Sequence, residues 1–209
     1  MRIQNFAAAL LAGGLLTSAA QATPIVYQLD EITSGTINNG TTVAPTSGFG
    51  SVTYAAHNNN LMVTIALTTG FKALDIAMNV GTPLANLITG GKHLLVTNDG
   101  LNYSDIQVSM NHISQDGYQG SFDIQVPGNG NLGNANPVSF DLILASSVTT
   151  NTHGTVTGYS GQIALDPSEL NALDTLGFVY NDVHVGNCST NAACAALGGS
   201  IFVGSNGIA

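Results

Sequence analysis

The sequence predicts an all-β protein, an antiparallel β-sandwich that is jelly-roll-like and has one or two short helices. Runs of alternating apolar and polar residues recur along the 209-residue chain, separated by segments rich in Gly, Asn and Pro. Alternation with a period of two is typical of a strand that packs one face on a core and turns the other to water. Turn-forming residues between such runs favour antiparallel neighbours.

The clearest alternation lies in residues 117–144. Its first run is centred on Ile124 and its second on Phe140, and a loop rich in Gly and Asn separates them. Prolines at both ends of that loop stop a ladder of backbone hydrogen bonds. We expect the two runs to pair as an antiparallel hairpin, with Asp123 and Asp141 on its solvent face.

The other elements follow in chain order. Residues 71–80 fit both the strand period and the helix period in part, so they predict either a strand or a short helix, and residues 84–87 favour one helical turn. Asp166, Pro167 and Glu169 form a helix start signal, with Asp as the N-cap and Pro in the first turn, and the helix would run to about residue 174. We expect further strands at residues 23–31, 50–56, 61–67, 93–97, 106–110, 159–164, 176–185 and 200–203. The runs at residues 50–56 and 61–67 should pair as a hairpin across the Asn-rich turn between them.

The N-terminus predicts a secretory signal peptide over residues 1–22. Arg2 supplies a positive charge, residues 6–16 are apolar but too few to span a bilayer, and Ala20-Gln21-Ala22 matches a cleavage motif. We therefore expect residues 23–209 to form one secreted, extracellular domain without a membrane anchor.

Charged residues are scarce in this chain. They make up 7% of it, whereas about a quarter is usual, and 12 Asp and Glu stand against 3 Lys and Arg. A surface so poor in cations disfavours nucleic acid and anionic membranes as partners. Solubility must come from neutral polar residues, a composition that suits an extracellular setting.

Cys188 and Cys194 are the two cysteines of the chain. In an exported protein such close cysteines favour a local disulfide bond. Zinc binding is the alternative. It would require further Cys or His residues at ligand spacing, and His184 is the one such residue nearby in the sequence.

Several short segments from residue 116 onward resemble, in their order, the exported β domains of bacterial PEP-CTERM proteins, which are associated with biofilm and exopolysaccharide production. They are DGY at 116–118, GSFD at 120–123, PVSF at 137–140, VHV at 183–185 and GGSIFVG at 198–204. The resemblance implies an extracellular role in a biofilm matrix and supplies no catalytic residue. The sorting tail of those proteins is not matched here, so we do not expect processing by their membrane protease.

Catalytic motifs are not evident, and we predict that the protein is not an enzyme. The chain contains neither the G-x-S-x-G nor the H-E-x-x-H pattern. His184 is a candidate ligand-binding residue because it would share a strand face with Asp182. Asp99, Asn102 and Asp105 place oxygen ligands on a turn and are a candidate calcium site, although an Asx-capped turn explains the same residues without a metal. We expect no other cofactor.

Two functional hypotheses remain open. The first is a non-enzymatic structural protein of an extracellular matrix or surface, which self-associates through edge strands. The second is a carbohydrate-binding module for extracellular polysaccharide, in which Tyr103, Tyr118 and Tyr159 stack on sugars. A glycoside-acting enzyme is less favoured because the chain has no Trp to form a sugar platform.

Overall fold

The computed structural model describes residues 22–34, 48–68, 71–98, 104–106, 122–126, 132, 135–173, 181–185 and 201–205. Within these residues the chain forms two antiparallel sheets and one α-helix, which confirms the predicted all-β sandwich. The signal peptide predicted over residues 1–22 lies outside the described residues apart from Ala22, as do Cys188 and Cys194. None of the described helices is long and apolar enough to span a membrane.

The chain passes several times between the two sheets. The strands are β1 (Ile25–Leu29), β2 (Glu31–Ser34), β3 (Gly50–His57), β4 (Asn60–Leu67), β5 (Ala73–Met78), β6 (His93–Thr97), β7 (Ser104–Ile106), β8 (Ile124–Val126), β9 (Val138–Thr150), β10 (Val156–Ile163), β11 (Asn181–Val185) and β12 (Ile201–Gly204). The larger sheet has the order β1-β3-β4-β9-β6-β7, with β10 paired to β9, and the smaller sheet has the order β2-β12-β11-β5-β8. A single α-helix, α1 (Thr82–Thr89), joins β5 to β6 in the described chain, and a 3-10 helix spans Pro167–Leu170.

The hairpin β3–β4 forms as the sequence predicts. Its register pairs His57 with Asn60 and Tyr54 with Val63, and Asn58 in the turn has a φ of 58°. Asn tolerates this left-handed conformation better than most residues, which explains why an Asn-rich turn reverses the chain here. The alternate residues of both strands are buried in the core.

The core lies between the two sheets and draws apolar side chains from both. Burial of each such side chain stabilises the fold by about 1.5–3 kcal/mol. Tyr27 and Tyr54 meet edge to face within it, with ring centroids 5.3 Å apart. The Tyr27 hydroxyl donates a hydrogen bond to Asn171 Oδ1 at 2.7 Å. Members from the two sheets include Leu29, Val52, Ile65, Leu142, Ile76, Met78, Val183 and Val203.

The hairpin predicted within residues 117–144 is wrong. β8 pairs with β5 in the smaller sheet, whereas β9 pairs with β4, β6 and β10 in the larger one. Asp123, which was expected to face solvent, is 3% exposed and accepts a hydrogen bond from the backbone N–H of Val80 at 3.0 Å. Alternation identifies which residues share a face, but it does not identify the neighbouring strand.

The remaining elements match the predictions in part. Residues 73–78 form a strand, the helical turn extends to the two turns of α1, and β10 begins three residues earlier than predicted. The strand predicted at residues 106–110 overlaps β7 at Ile106, and its other residues lie outside the described part of the chain. The helix after Asp166 is a single 3-10 turn that ends at Leu170 rather than near residue 174.

Candidate functional site

The predicted site residues are only partly covered by the structure. Tyr103, Tyr118, Asp99 and Asn102 lie outside the described residues. Asp105, the third residue of the calcium candidate, has its Oδ2 2.9 Å from His93 Nδ1 on β6. Among the residues that the structure describes, no group of three or more His, Cys, Asp or Glu is placed to hold a metal ion.

Tyr159 and His184 are not brought together, because they belong to different sheets. Tyr159 lies on β10 of the larger sheet and packs against a small apolar cluster on the side of the sheet away from the main core. That cluster contains Leu95, Ile143, Ala145 and Val156. A half-buried tyrosine in such a cluster stabilises the sheet, and the structure gives Tyr159 no shared surface with His184.

His184 lies in the middle of the smaller sheet, between β5 and β12. Its Nδ1 is 3.2 Å from Asp75 Oδ2, and its ring stacks on Phe202 with the centroids 4.3 Å apart and the planes at 8°. Both partners are set by register, since His184 stands opposite Asp75 on one side and Phe202 on the other. Nε2 is buried and has no hydrogen-bond partner within the described chain. The arrangement fixes the orientation of the imidazole and gives the buried carboxylate of Asp75 a hydrogen-bond partner.

Asp182 shares this outer face of the smaller sheet, as the sequence predicts. The Thr33 hydroxyl lies 2.9 Å from Oδ1 and 2.7 Å from Oδ2 of Asp182. Gly204 stands opposite Asp182 in the intervening strand β12, so the contact between Thr33 and Asp182 reaches across that strand. The outer face therefore carries a row of buried, hydrogen-bonded polar residues.

An open groove lies on the outer face of the larger sheet. We call it the Asp141 groove; it has a volume of about 370 Å³ and is lined by residues that include His57, Thr97, Asn98 and Asp141. His57 Nδ1 is 3.0 Å from both carboxylate oxygens of Asp141, and Asn60 Nδ2 donates to Oδ2 at 3.2 Å. The polar groups at the centre of the groove are thus already paired with one another.

A second cavity, of about 360 Å³, lies where β5 ends and α1 begins. We call it the Asn79 cavity, and its polar lining residues are Asn79, Thr82, Asn86 and Asp123. Several backbone contacts hold its walls together. The N–H of Gly81 donates to the carbonyl of Glu169 at 2.6 Å, and the N–H of Asp123 donates to the carbonyl of Met78 at 3.1 Å.

Sequence reasoning missed Asp75 and Asn79. Both stand in the run FKALDIAMNV, whose apolar residues fit two periods and gave no unique face. A signal was nevertheless present, because an acidic residue within an apolar strand is rarely buried without a partner. A search for the partner of such an acid would have pointed to a histidine in another strand.

Comparisons of this chain with protein-family models, with curated proteins and with solved structures found no match.

Proposed function

We propose that this protein is a secreted, non-enzymatic structural protein of an extracellular matrix or surface, which self-associates by strand addition. The observation that carries the proposal is a two-stranded extension of the larger sheet, residues 146–163, which we call the β9–β10 ribbon. The predicted leader peptide and the low charge of the chain support export.

The β9–β10 ribbon begins where β9 leaves the centre of the larger sheet. Residues 138–145 of β9 pair with β4 or β6, whereas the residues beyond them pair with β10. Among the described strands, β9 is the one partner of β10. The outer edge of β10 therefore presents backbone donors and acceptors that no described strand engages, which is the template that strand addition requires.

The ribbon is well formed by its own hydrogen bonds. The hydroxyls of Ser147 and Ser160 lie 2.8 Å apart across the two strands. In the turn, Asn151 Oδ1 accepts the backbone N–H groups of His153 and Thr155, each at 2.9 Å. Lys92 Nζ donates to Ser146 Oγ at the base of the ribbon, on β9. These contacts preorganise the ribbon, and the outer edge of β10 has no partner among the described strands.

The ribbon also lacks the charges that usually protect an edge. Residues 146–163 contain no Lys, Arg, Asp or Glu, and most of them are exposed. Natural edge strands are commonly blocked by Lys, by Pro or by inward-pointing charges. Two copies that each carry a net charge of −9 repel one another, so an uncharged edge is where their backbones can approach.

Sedimentation velocity over a range of protein concentrations tests this proposal. We expect the weight-average sedimentation coefficient of the wild-type protein to rise with concentration. Ser160→Lys places a cation on β10 and should hold the protein monomeric, because lysines on edge strands oppose strand addition. Thr53→Lys is the matched control, since β3 already has β1 and β4 as neighbours, and it should associate like the wild type.

A wild-type protein that stays monomeric at the highest attainable concentration would contradict the proposal. Equal association of the Ser160→Lys and Thr53→Lys variants would show that copies meet elsewhere than at β10.

A further inference from the structure

Asn79 is buried with both of its side-chain polar atoms unpaired. The residue is 1% exposed, and within the described chain neither its amide nitrogen nor its amide oxygen has a hydrogen-bond partner. Buried polar groups in folded proteins nearly always have a partner, so an unpaired amide that lines a cavity points to a molecule that fills it. The amide offers two donors and one acceptor group to that molecule.

The walls of the Asn79 cavity define the chemistry of that molecule. The Asp123 carboxylate, 3% exposed, accepts hydrogen bonds and disfavours an anion. Within the described part of the chain, no Lys or Arg lines the cavity. Val80 and Leu173 supply apolar surface, and Leu173 is 41% exposed. The cavity thus favours a neutral molecule with both donors and acceptors and with an apolar face.

We propose that the Asn79 cavity binds the end of a neutral saccharide chain. A sugar hydroxyl both donates and accepts, so neighbouring hydroxyls can pair with the amide oxygen and the amide N–H groups of Asn79 together. A further hydroxyl donates to Asp123, and the C–H face of the ring packs on Leu173. The cavity volume of about 360 Å³ lies within the usual range for ligand sites, roughly 300–1,000 Å³. This site is independent of self-association at β10.

The Asn79 cavity is a better saccharide site than the Asp141 groove. In the groove, His57 and Asn60 already engage the carboxylate of Asp141, so a ligand would have to compete with formed hydrogen bonds. At Asn79 the ligand supplies hydrogen bonds that the described protein does not make. Binding therefore removes the free-energy cost of leaving this buried amide unpaired.

Titration of the full chain with neutral disaccharides tests the proposal, with maltose, cellobiose, mannobiose and diacetylchitobiose as probes and glucuronate as the anionic comparison. The titrations are run at a concentration at which the protein is monomeric, followed by calorimetry and by the NMR signals of the side-chain amides. We expect at least one neutral disaccharide to bind and to shift the Asn79 signal, and glucuronate not to bind. Asn79→Leu should weaken binding about tenfold or more, because the hydrogen bonds to the amide are lost.

Two matched control variants distinguish a specific loss of saccharide binding from general damage to the fold. Asn181→Leu replaces another buried, unpaired amide that does not line the cavity, and Asp141→Asn alters the groove. Both should bind like the wild type. The unliganded Asn79→Leu protein should unfold at the wild-type temperature or above it, because an unpaired buried amide is replaced by an apolar group. If Asn79→Leu fails to fold, Leu173→Asp at the exposed mouth should weaken binding instead.

Three outcomes would overturn the proposal. They are the absence of binding by every neutral disaccharide up to millimolar concentration, wild-type affinity in both the Asn79→Leu and Leu173→Asp proteins, and loss of binding in Asp141→Asn with retention in Asn79→Leu.

Discussion

Tyr54 and Asn181 place unpaired polar atoms inside the core. They belong to different sheets, and the Tyr54 hydroxyl lies near Asn181 without the geometry of a hydrogen bond. Burial raises the pKa of Tyr54 well above its usual value of 10.0, the nearby Tyr27 adds to the rise, and Asn181 offsets part of it. The folded protein therefore holds Tyr54 in its protonated form to high pH.

This shift predicts a loss of stability in alkali. Above about pH 10 the unfolded chain ionises Tyr54 while the folded protein keeps it protonated, so the free energy of unfolding falls as pH rises. Below pH 10 the contribution is constant. Tyr54→Phe should reduce the fall between pH 9 and pH 11 and should change stability little at pH 7, as measured by urea unfolding. If the free energy of unfolding falls equally with pH in the wild type and in Tyr54→Phe, the alkaline loss of stability does not come from Tyr54.

At single positions, the sequence predicted which residues share a strand face, but it did not predict which residues they contact or whether that face is buried. It placed His184 and Asp182 on one face, which the register of β11 confirms. It placed Asp123 in solvent, because a polar residue between apolar neighbours is usually exposed. The outer face of the smaller sheet is buried at this point, so the usual inference fails.

At the scale of elements, local signals were the most informative. The hairpin β3–β4, the strand β6 and the start of the 3-10 helix depend on residues close in the sequence, and each was predicted. The pairing of β8 with β5 joins segments that are more than forty residues apart. Such a pairing depends on the packing of the whole sheet, which alternation within one strand does not encode.

The 3-10 helix carries a complete capping box. Ser168 donates its backbone N–H to Asp166 Oδ1 at 2.9 Å, and Glu169 Oε2 accepts the backbone N–H of Asp166 at 2.8 Å. These bonds matter beyond the helix, because the carbonyl of Glu169 anchors Gly81 at the start of α1. The hydrogen bonds from Ser168 lower the pKa of Asp166.

Loss of this cap should be measurable in the free energy of unfolding. Asp166→Ala is expected to lower it by about 1 kcal/mol at pH 7. Because the pKa of Asp166 is lowered in the folded protein, its stabilising effect should decline as pH falls below 3.8, the usual pKa of Asp. The difference in the free energy of unfolding between Asp166→Ala and the wild type should therefore be smaller at pH 3 than at pH 7. Asp30→Ala, at an exposed position between β1 and β2, serves as the control in urea unfolding at pH 7 and pH 3. An equal effect of the two substitutions would argue against the cap.

At the scale of the whole molecule, net charge and the β9–β10 ribbon act in opposite directions. The net charge of −9 keeps copies apart, whereas the uncharged edge of β10 favours contact. Salt shortens the range of the repulsion, from about 10 Å at 0.1 M to about 3 Å at 1 M, and leaves backbone hydrogen bonds in place. Self-association should therefore strengthen with sodium chloride, as measured by light scattering at fixed protein concentration. Association that weakens with salt would instead indicate an interface made of opposite charges.

The length of β9 has a mechanical consequence. This one strand of 13 residues runs from the centre of the larger sheet, between β4 and β6, out into the β9–β10 ribbon. Tension applied to the ribbon by a neighbouring molecule would travel along the backbone of β9. The hydrogen bonds to β4 and β6 would then resist it together, in shear, so a pull at the periphery would be borne by the middle of the domain.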